Sequence, residues 1–216
     1  MEIVIPSAGS LGLFVVAALA LLVVPGPAVL YIVARSVAQG RTAGFVSDLG
    51  IHSATLVHVA AAALGLSALL ASSATAFSIV KYAGAAYLIW IGLRKILSRE
   101  DNPDVDVALK PRSHARLFRE GFVVNLLNPK TALFFLAFLP QFVEVGRGHV
   151  AMQIAFLGIV FTLLGLISDG CYAFAAGMLG DRLRRNRAYL RFERTISGVL
   201  FIGLGVSAAL AGNHRK

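Results

Sequence analysis

Four ionisable residues lie in otherwise apolar stretches of this sequence, and they are Asp48, His58, Lys130 and Asp169. A charged side chain at the centre of a bilayer costs about 3 kcal/mol or more, so such residues are candidates for binding ions or substrates. The ammonium of Lys130 attracts carboxylates, whereas carboxylates and imidazoles take up and release protons. The pattern therefore indicates a site for a small charged molecule, for protons, or for both.

Each of these residues also has a purely structural interpretation. Asp48 could reach the membrane surface with its side chain, and His58 could be a hydrogen-bonded interior histidine. Lys130 and Asp169 could form a permanent structural ion pair. At 100° per residue, Asp48, His52, Thr55 and His58 share one side of a helix, which predicts one polar face on that segment.

Composition determines what kind of protein must position these groups. Apolar residues make up 57% of the 216 residues and charged residues 14%, and the mean hydropathy is +0.78. Soluble domains are closer to half apolar and one quarter charged. We therefore predict an all-α polytopic membrane protein that forms a single transmembrane domain over residues 1–216.

Gaps between charged residues divide the chain into spans, because about 20 apolar residues cross a bilayer. Charge-free gaps follow Glu2, Asp48, Arg147 and Arg194, and two further apolar segments contain one lysine each. The start lacks the basic region of a cleaved signal peptide. The predicted helices are 10–35, 44–70, 75–96, 118–141, 149–180 and 194–212.

The lysines and arginines predict the orientation of the chain. Fifteen of the 20 lie in the connections between spans 1 and 2, 3 and 4, and 5 and 6. The positive-inside rule places those connections in the cytoplasm and both termini outside. This distribution explains the net charge of +9 without a nucleic-acid partner, and we expect the basic face to contact anionic lipid.

The two halves of the chain show weak similarity to each other. "PGPAVLYIVA" at Pro25 and "NPKTALFFLA" at Asn128 both place proline in mid-span, and "GAAYLIWIG" at Gly84 resembles "GVLFIGLG" at Gly198. The second half begins on the opposite face, so the halves would be related by inversion. We predict two inverted three-helix repeats, at about 10–98 and 116–212, joined by a cytoplasmic loop at about 99–115.

Prolines interrupt the first and fourth predicted spans. Each proline lacks an amide donor and leaves the carbonyl four residues earlier without its helical partner, here at Leu21 and Val23. Such groups are tolerated in a membrane only where protein or a wet cavity receives them. Paired packing kinks are the structural alternative. Matched breaks in inverted halves favour a transport site at the bilayer midplane.

Three segments resemble the LysE/RhtB family of bacterial amino-acid exporters. They are "PGPAVLYIVARSVAQGRTAG", "KYAGAAYLIWIGLRKI" and "GFVVNLLNPKTALFFLAFLPQFV", and the resemblance extends from about Leu21 to Gly205. It implies a six-helix exporter of amino acids or related metabolites in the bacterial inner membrane, coupled to protons. One departure is Ala54, where the family often has a second glycine after the position of Gly50.

The breaks and the resemblance together give candidate site residues. The expected substrate-binding residues lie at the two breaks and are Pro25, Gly26, Pro27, Asn125, Asn128, Pro129 and Lys130. The expected proton-coupling residues are Asp169, Asp48 and His58. In this hypothesis Lys130 binds the substrate carboxylate, the freed carbonyls and Asn128 bind its ammonium, and Asp169 either pairs with Lys130 or carries a proton.

Several alternatives stay open at this stage. No enzyme motif is visible, and neither a cofactor nor a metal is predicted. One alternative is a cadmium-type metal exporter, which would have to bind the metal with Cys171, His52 and His58, a small set of ligands. The other alternative is a membrane scaffold without transport activity. The expected partners are an amino acid, protons and membrane lipid. Glycines such as Gly84 and Gly92 could support a homodimer, and Phe134, Phe135 and Phe138 would suit an apolar substrate side chain.

Overall fold

A computed structural model describes residues 6–72 and 111–179 of the chain, together with isolated positions between 75 and 97 and between 199 and 206. The described ranges are helical and contain no strand. The helices are α1 (Ala8–Val23), α2 (Pro27–Gln39), α3 (Arg41–Ser72), α4 (His114–Leu126), α5 (Pro129–Leu133) and α6 (Val150–Leu179). A π-helical turn (Phe134–Phe138) and two short 3-10 turns (Leu139–Phe142 and Val145–Arg147) connect α5 to α6.

Two of the described helices, α3 and α6, are long and apolar enough to cross a membrane over Arg41–Gly65 and Val150–Met178. Two pairs of consecutive helical segments are also long and apolar enough to cross a membrane if each pair is one bent span. Helices α1 and α2 are bent by 52° at their break, and α4 and the segment Pro129–Phe142 are bent by 49°. These elements lie where spans 10–35, 44–70, 118–141 and 149–180 were predicted. Spans 75–96 and 194–212, Lys81 and most of the predicted loop 99–115 lie outside the described residues.

The break between α1 and α2 follows from its two prolines. The Ser7 hydroxyl caps α1 by accepting a bond from the amide of Ser10, at 3.3 Å. Pro25 and Pro27 cannot continue the hydrogen-bond ladder, so α1 ends at Val23. Pro27 then occupies the first position of α2, where the absence of an amide hydrogen costs nothing. The chain turns at Gly40, whose φ of 85° suits glycine, and continues directly into α3.

The break between α4 and α5 has similar chemistry. Asn128 caps α5, and Pro129 occupies its first position. Further on, Pro140 cannot donate to the carbonyl four residues earlier, and the helix widens just before it. The amide of Leu139 donates to the carbonyl of Phe134, five residues earlier.

Helices α3 and α4 cross with their backbones in contact. A Cβ atom on Gly50 would collide with the carbonyl of Phe118, and one on Gly121 would collide with the carbonyl of Ser47. Only glycine permits this approach, which brings the polar face of α3 next to the end of α4. The adjoining core contains the buried rings of Phe14, Phe134, Phe135, Phe138 and Phe161, and those of Phe134 and Phe161 stack at 4.4 Å.

Candidate functional site

The carbonyls at the end of α1 face Lys130 and Tyr172. The Lys130 ammonium donates to the carbonyl of Leu21 at 2.9 Å and to that of Val24 at 2.7 Å. The Tyr172 hydroxyl donates to the carbonyl of Val23 at 2.6 Å. Protein groups therefore bind the acceptors that we expected to bind the substrate ammonium, because a carbonyl left without a partner is costly in an apolar interior.

The second break is held by two asparagines. The Asn128 side chain accepts from the amide of Lys130 at 3.0 Å, and this bond fixes the start of α5. The Asn125 amide donates to the carbonyl of Ile51 at 2.8 Å and to the hydroxyl of Thr55 at 2.9 Å. The side-chain oxygen of Asn125 accepts from the hydroxyl of Thr131 at 2.8 Å. Asn125 therefore ties the second break to α3 through Ile51 and Thr55 and to α5 through Thr131.

One cavity of about 40 Å³ joins the two breaks. Its lining includes Gly26, Asn125, Asn128, Lys130, His52, Thr55, Thr131, Phe161 and Asp169. Pro25, Pro27 and Pro129 shape the breaks but do not line it. The volume has room for roughly three water molecules, so the space left between the described residues is smaller than an amino acid. Phe134, Phe135 and Phe138 pack in the core, and among the described phenylalanines Phe161 lines the cavity.

A buried group of two carboxylates and one imidazole lies at this cavity, which His52 and Asp169 line and Asp48 does not. Nε2 of His52 lies 3.2 Å from Oδ1 of Asp48 and 3.4 Å from Oδ2 of Asp169. The exposed fractions of the three residues are 0% for Asp48, 5% for His52 and 4% for Asp169. We call these residues the DHD cluster. Asp169 therefore lies against His52, whereas the Lys130 ammonium contacts carbonyls, which differs from the expected pairing of Lys130 with Asp169.

His58 lies away from the DHD cluster and does not line the cavity. Its Nε2 atom lies 3.1 Å from the carbonyl oxygen of Asn125. Its ring stacks on Phe135 with a centroid distance of 6.3 Å. These contacts match the structural interpretation given to His58 above, and the histidine that faces Asp48 and Asp169 is His52.

An ionic network closes one end of the described helices. The carboxylate of Glu120, on α4, accepts from the hydroxyl of Tyr31 at 2.9 Å and from Arg116 at 3.0 Å, and it also pairs with Arg112. The guanidinium of Arg35, which is only 3% exposed, lies 3.7 Å from the same carboxylate. We call this set, which ties α2 to α4, the Glu120 network.

The other end is closed by Glu144. Its carboxylate accepts from the amide of Ser7 and the hydroxyl of Ser10, both at 2.9 Å, and pairs with Arg147 at 2.7 Å. The hydrogen bonds from Ser7 and Ser10 lower the pKa of Glu144 from 4.5 to about 2. Gln153 joins the backbone of the same turn to α6. These contacts tie the start of α1 to the segment that precedes α6.

Sequence reasoning singled out Lys130 and Asp169 but not His52 or Tyr172 as site residues. The signal for His52 was present, since it follows Asp48 by one helical turn on the same polar face. Nothing along the chain links Tyr172 to Val23, because the contact joins residues 149 positions apart.

The fold and this cavity define a helical membrane protein with an ionisable interior site. The family model described as "LysE type translocator" matches residues 19–212, and the chain therefore belongs to this family.

Relatives cover nearly the same length. An uncharacterized membrane protein of Vibrio cholerae is 30% identical, over 87% of this chain and 90% of its own. A leucine efflux protein of Enterobacter is 26% identical over 93% and 94%, and a homoserine/homoserine lactone efflux protein of Salmonella typhi is 29% identical over 87% and 89%. No solved structure matches the chain.

Proposed function

We propose that this protein exports amino acids or related small metabolites across the bacterial inner membrane and that proton entry drives the export. Membership of the LysE family and the two relatives named as efflux proteins support an amino-acid exporter. The observation that carries the proposal is the contact of Lys130, at the second break, with the carbonyls of the first break.

Each bent pair forms one broken transmembrane span in this proposal, and the two belong to inverted repeats of three helices. Two contacts support opposite directions for them. Ser7, before the first pair, contacts Glu144, after the second pair. Gln39, at the end of α2, exchanges two hydrogen bonds of 3.0 Å with the backbone of Arg112, just before α4. The pairs therefore run antiparallel, as inverted repeats require.

The Lys130 ammonium occupies the place that the substrate ammonium takes during transport. The carbonyls of Leu21 and Val24 form a site for a primary ammonium, and Lys130 fills it when no substrate is bound. An incoming amino acid displaces Lys130 from these carbonyls, and its carboxylate then receives the released ammonium. Gly26 and the start of α2 line the same cavity, so the positive end of that helix adds to the attraction for the carboxylate.

Transport requires the cavity to open alternately to the two sides. In this proposal the Glu120 network closes one end and the Glu144 contacts close the other, and each set of contacts separates when the cavity opens on its side. In the proposed orientation the basic end with Arg35 and Arg112 faces the cytoplasm, and both chain termini lie outside. Asp169 and Asp48 belong to the proton-coupling site, and His58 supports the second break through Asn125. A reporter fused at residue 216 that reads cytoplasmic would contradict this orientation.

Counterflow of labelled leucine and homoserine in proteoliposomes tests the proposal. Preloaded unlabelled amino acid should drive uptake of the label by the wild type. Lys130→Met should abolish this uptake, because the released ammonium no longer pairs with the substrate carboxylate. Arg119→Met, which removes one positive charge from the exposed surface of α4, is the matched control and should transport normally. Normal counterflow by Lys130→Met, or equal loss in both variants, would refute the assigned role.

A further inference from the structure

The DHD cluster has a net negative charge, which the binding of one proton reduces from −2 to −1. Asp48 and Asp169 contribute two negative charges, and His52 offsets one of them only when its imidazole is protonated. The three side chains contain six oxygen and nitrogen atoms in all. They are Oδ1 and Oδ2 of Asp48, Nδ1 and Nε2 of His52 and both carboxylate oxygens of Asp169. Five of these, all except Oδ2 of Asp169, have no hydrogen-bond partner of good geometry within the described residues. Buried polar atoms without such partners mark a site that binds something during function.

Building on the proposed function, we propose that His52 is the residue that carries the coupling proton, between Asp48 on its own helix and Asp169 on α6. A proton from water on one side adds to the neutral imidazole of His52 and gives an imidazolium, and the ring later releases a proton to water on the other side of the membrane. Lys130 lines the same cavity. With Lys130 and His52 both cationic, these positive charges balance the two carboxylates, and removal of the proton leaves a net charge of −1.

The proton also determines how strongly α3 and α6 are held together. The imidazolium attracts the carboxylate of Asp169 across the interface between these helices, at 3.4 Å. Neutral His52 has at most one donor for the two carboxylates, and those carboxylates repel each other. Loss of the proton therefore favours separation of α3 from α6, which would enlarge the cavity for substrate.

Other charged groups on the packed helices have partners elsewhere. On α2 and α4, Arg35 lies 3.7 Å from Glu120 in the Glu120 network. On α5, Lys130 donates to the carbonyls of α1. On α3, His58 contacts the carbonyl of Asn125. Among the described residues, His52 therefore faces Asp48, Asp169 and, across the cavity, Lys130.

The packing of α6 provides a variant that moves His52 without altering it. A Cβ atom on Gly165 would collide with Cε1 of His52 and would lie 3.2 Å from both ring nitrogens. The ring is the end of a flexible side chain, so Gly165→Ala should push it away from the carboxylates. Gly170→Ala, five residues along the same helix, is the matched control because its Cβ would meet Phe45 at 3.4 Å and Asp48 at 3.8 Å, which are ordinary contacts.

The first test compares two transport measurements on each variant in proteoliposomes. One is accumulation of labelled leucine driven by a pH gradient, and the other is counterflow without a gradient. The ratio of accumulation driven by the pH gradient to counterflow should fall about tenfold in His52→Gln and Gly165→Ala. A tenfold change lies within the usual range of coupling between two ligands. The ratio should stay at the wild-type value in Gly170→Ala. An unchanged ratio in His52→Gln would overturn the proposal, whereas absence of counterflow in the wild type would overturn the proposed function.

The second test does not depend on transport. Nitrogen-15 spectra of purified protein labelled at histidine should contain a resonance that disappears in His52→Gln, and it should change from imidazolium to neutral imidazole across the pH range in which imidazole titrates. Gly165→Ala should shift that titration, and Gly170→Ala should not. A His52 that stays neutral throughout, or an equimolar zinc or manganese ion that is bound by the wild type and lost in His52→Gln, would overturn the assignment of a proton.

Discussion

The ammonium of Lys130 lies 2.7 Å from the carbonyl oxygen of Val24, so one side chain joins the two interrupted helices. The contact explains how both interruptions are tolerated in an apolar protein. The first break leaves carbonyls without helical partners, and the second supplies a cation that binds them. A group that satisfies the backbone when the site is empty must be displaced when an amino acid arrives, which makes these carbonyls part of the proposed binding site.

Tyr172→Phe should destabilise the first break. The tyrosine hydroxyl is the donor to the carbonyl of Val23, at 2.6 Å, and a hydrogen bond of this kind contributes about 0.5–1.5 kcal/mol. The free energy of unfolding should fall by that amount. Tyr31→Phe is the matched control, because Glu120 keeps the arginines of its network after this hydroxyl is lost. Denaturation in detergent measures both variants, and an equal loss in the two would contradict the assigned role of Tyr172.

Gly50→Ala should weaken the contact of α3 with α4. Alanine favours a helix over glycine by about 1 kcal/mol, so propensity alone predicts a stabilised protein. At Gly50 the new Cβ would strike the backbone of Phe118, which cannot move away as a side chain can. At Gly65, an exposed position of the same helix, a Cβ meets no described atom within 4 Å. Thermal unfolding should therefore show a lower midpoint for Gly50→Ala and an equal or higher one for Gly65→Ala.

Glu144 should make one closed end of the protein sensitive to acid. Its pKa is lowered to about 2 in the folded protein from 4.5. A lowered pKa stabilises the fold above the unfolded value, and the stabilisation is lost as the pH falls from about 4.5 towards about 2. Hydrogen exchange around Ser7 should therefore increase in that interval. Glu144→Gln should show fast exchange already at neutral pH and little further change on acidification, and a wild-type pattern in this variant would exclude the carboxylate as the cause.

Much of the helical framework was predictable from the sequence because it depends on local chemistry. Charge-free runs predict the long helices, and the prolines at 25, 27 and 129 predict where two of them break. The importance of Lys130 follows from its position one residue after a break. These features depend on hydrophobicity and on missing amide donors, which act within a few residues along the chain.

The partners across the cavity were not predictable, because they depend on how the helices are rotated against each other. Helical periodicity places His52 and Asp48 on one side of α3, but it cannot show that this side faces Asp169. Tyr172 reaches Val23 only because α6 passes the end of α1. A pair of Lys130 with Asp169 was a reasonable expectation for two opposite charges in one cavity. In the structure Lys130 contacts the carbonyls of Leu21 and Val24, and Asp169 lies beside the imidazole of His52.

Glu120→Gln should open the end of the protein that the Glu120 network closes. The substitution keeps the shape of the side chain but removes the negative charge that faces the guanidinium of Arg35, which is 3% exposed. The buried guanidinium of Arg35 would then lack the carboxylate that faces it, so the closed arrangement of α2 against α4 should become less stable. Leu117, which is fully buried at this contact, is a suitable position for a reporter cysteine in a Cys171→Ser background. Maleimide should label Leu117→Cys faster when Glu120→Gln is also present. The matched control Glu144→Gln removes a carboxylate at the opposite end and should leave this labelling rate unchanged. Slow labelling in both double variants would show that the Glu120 network does not control opening at this end.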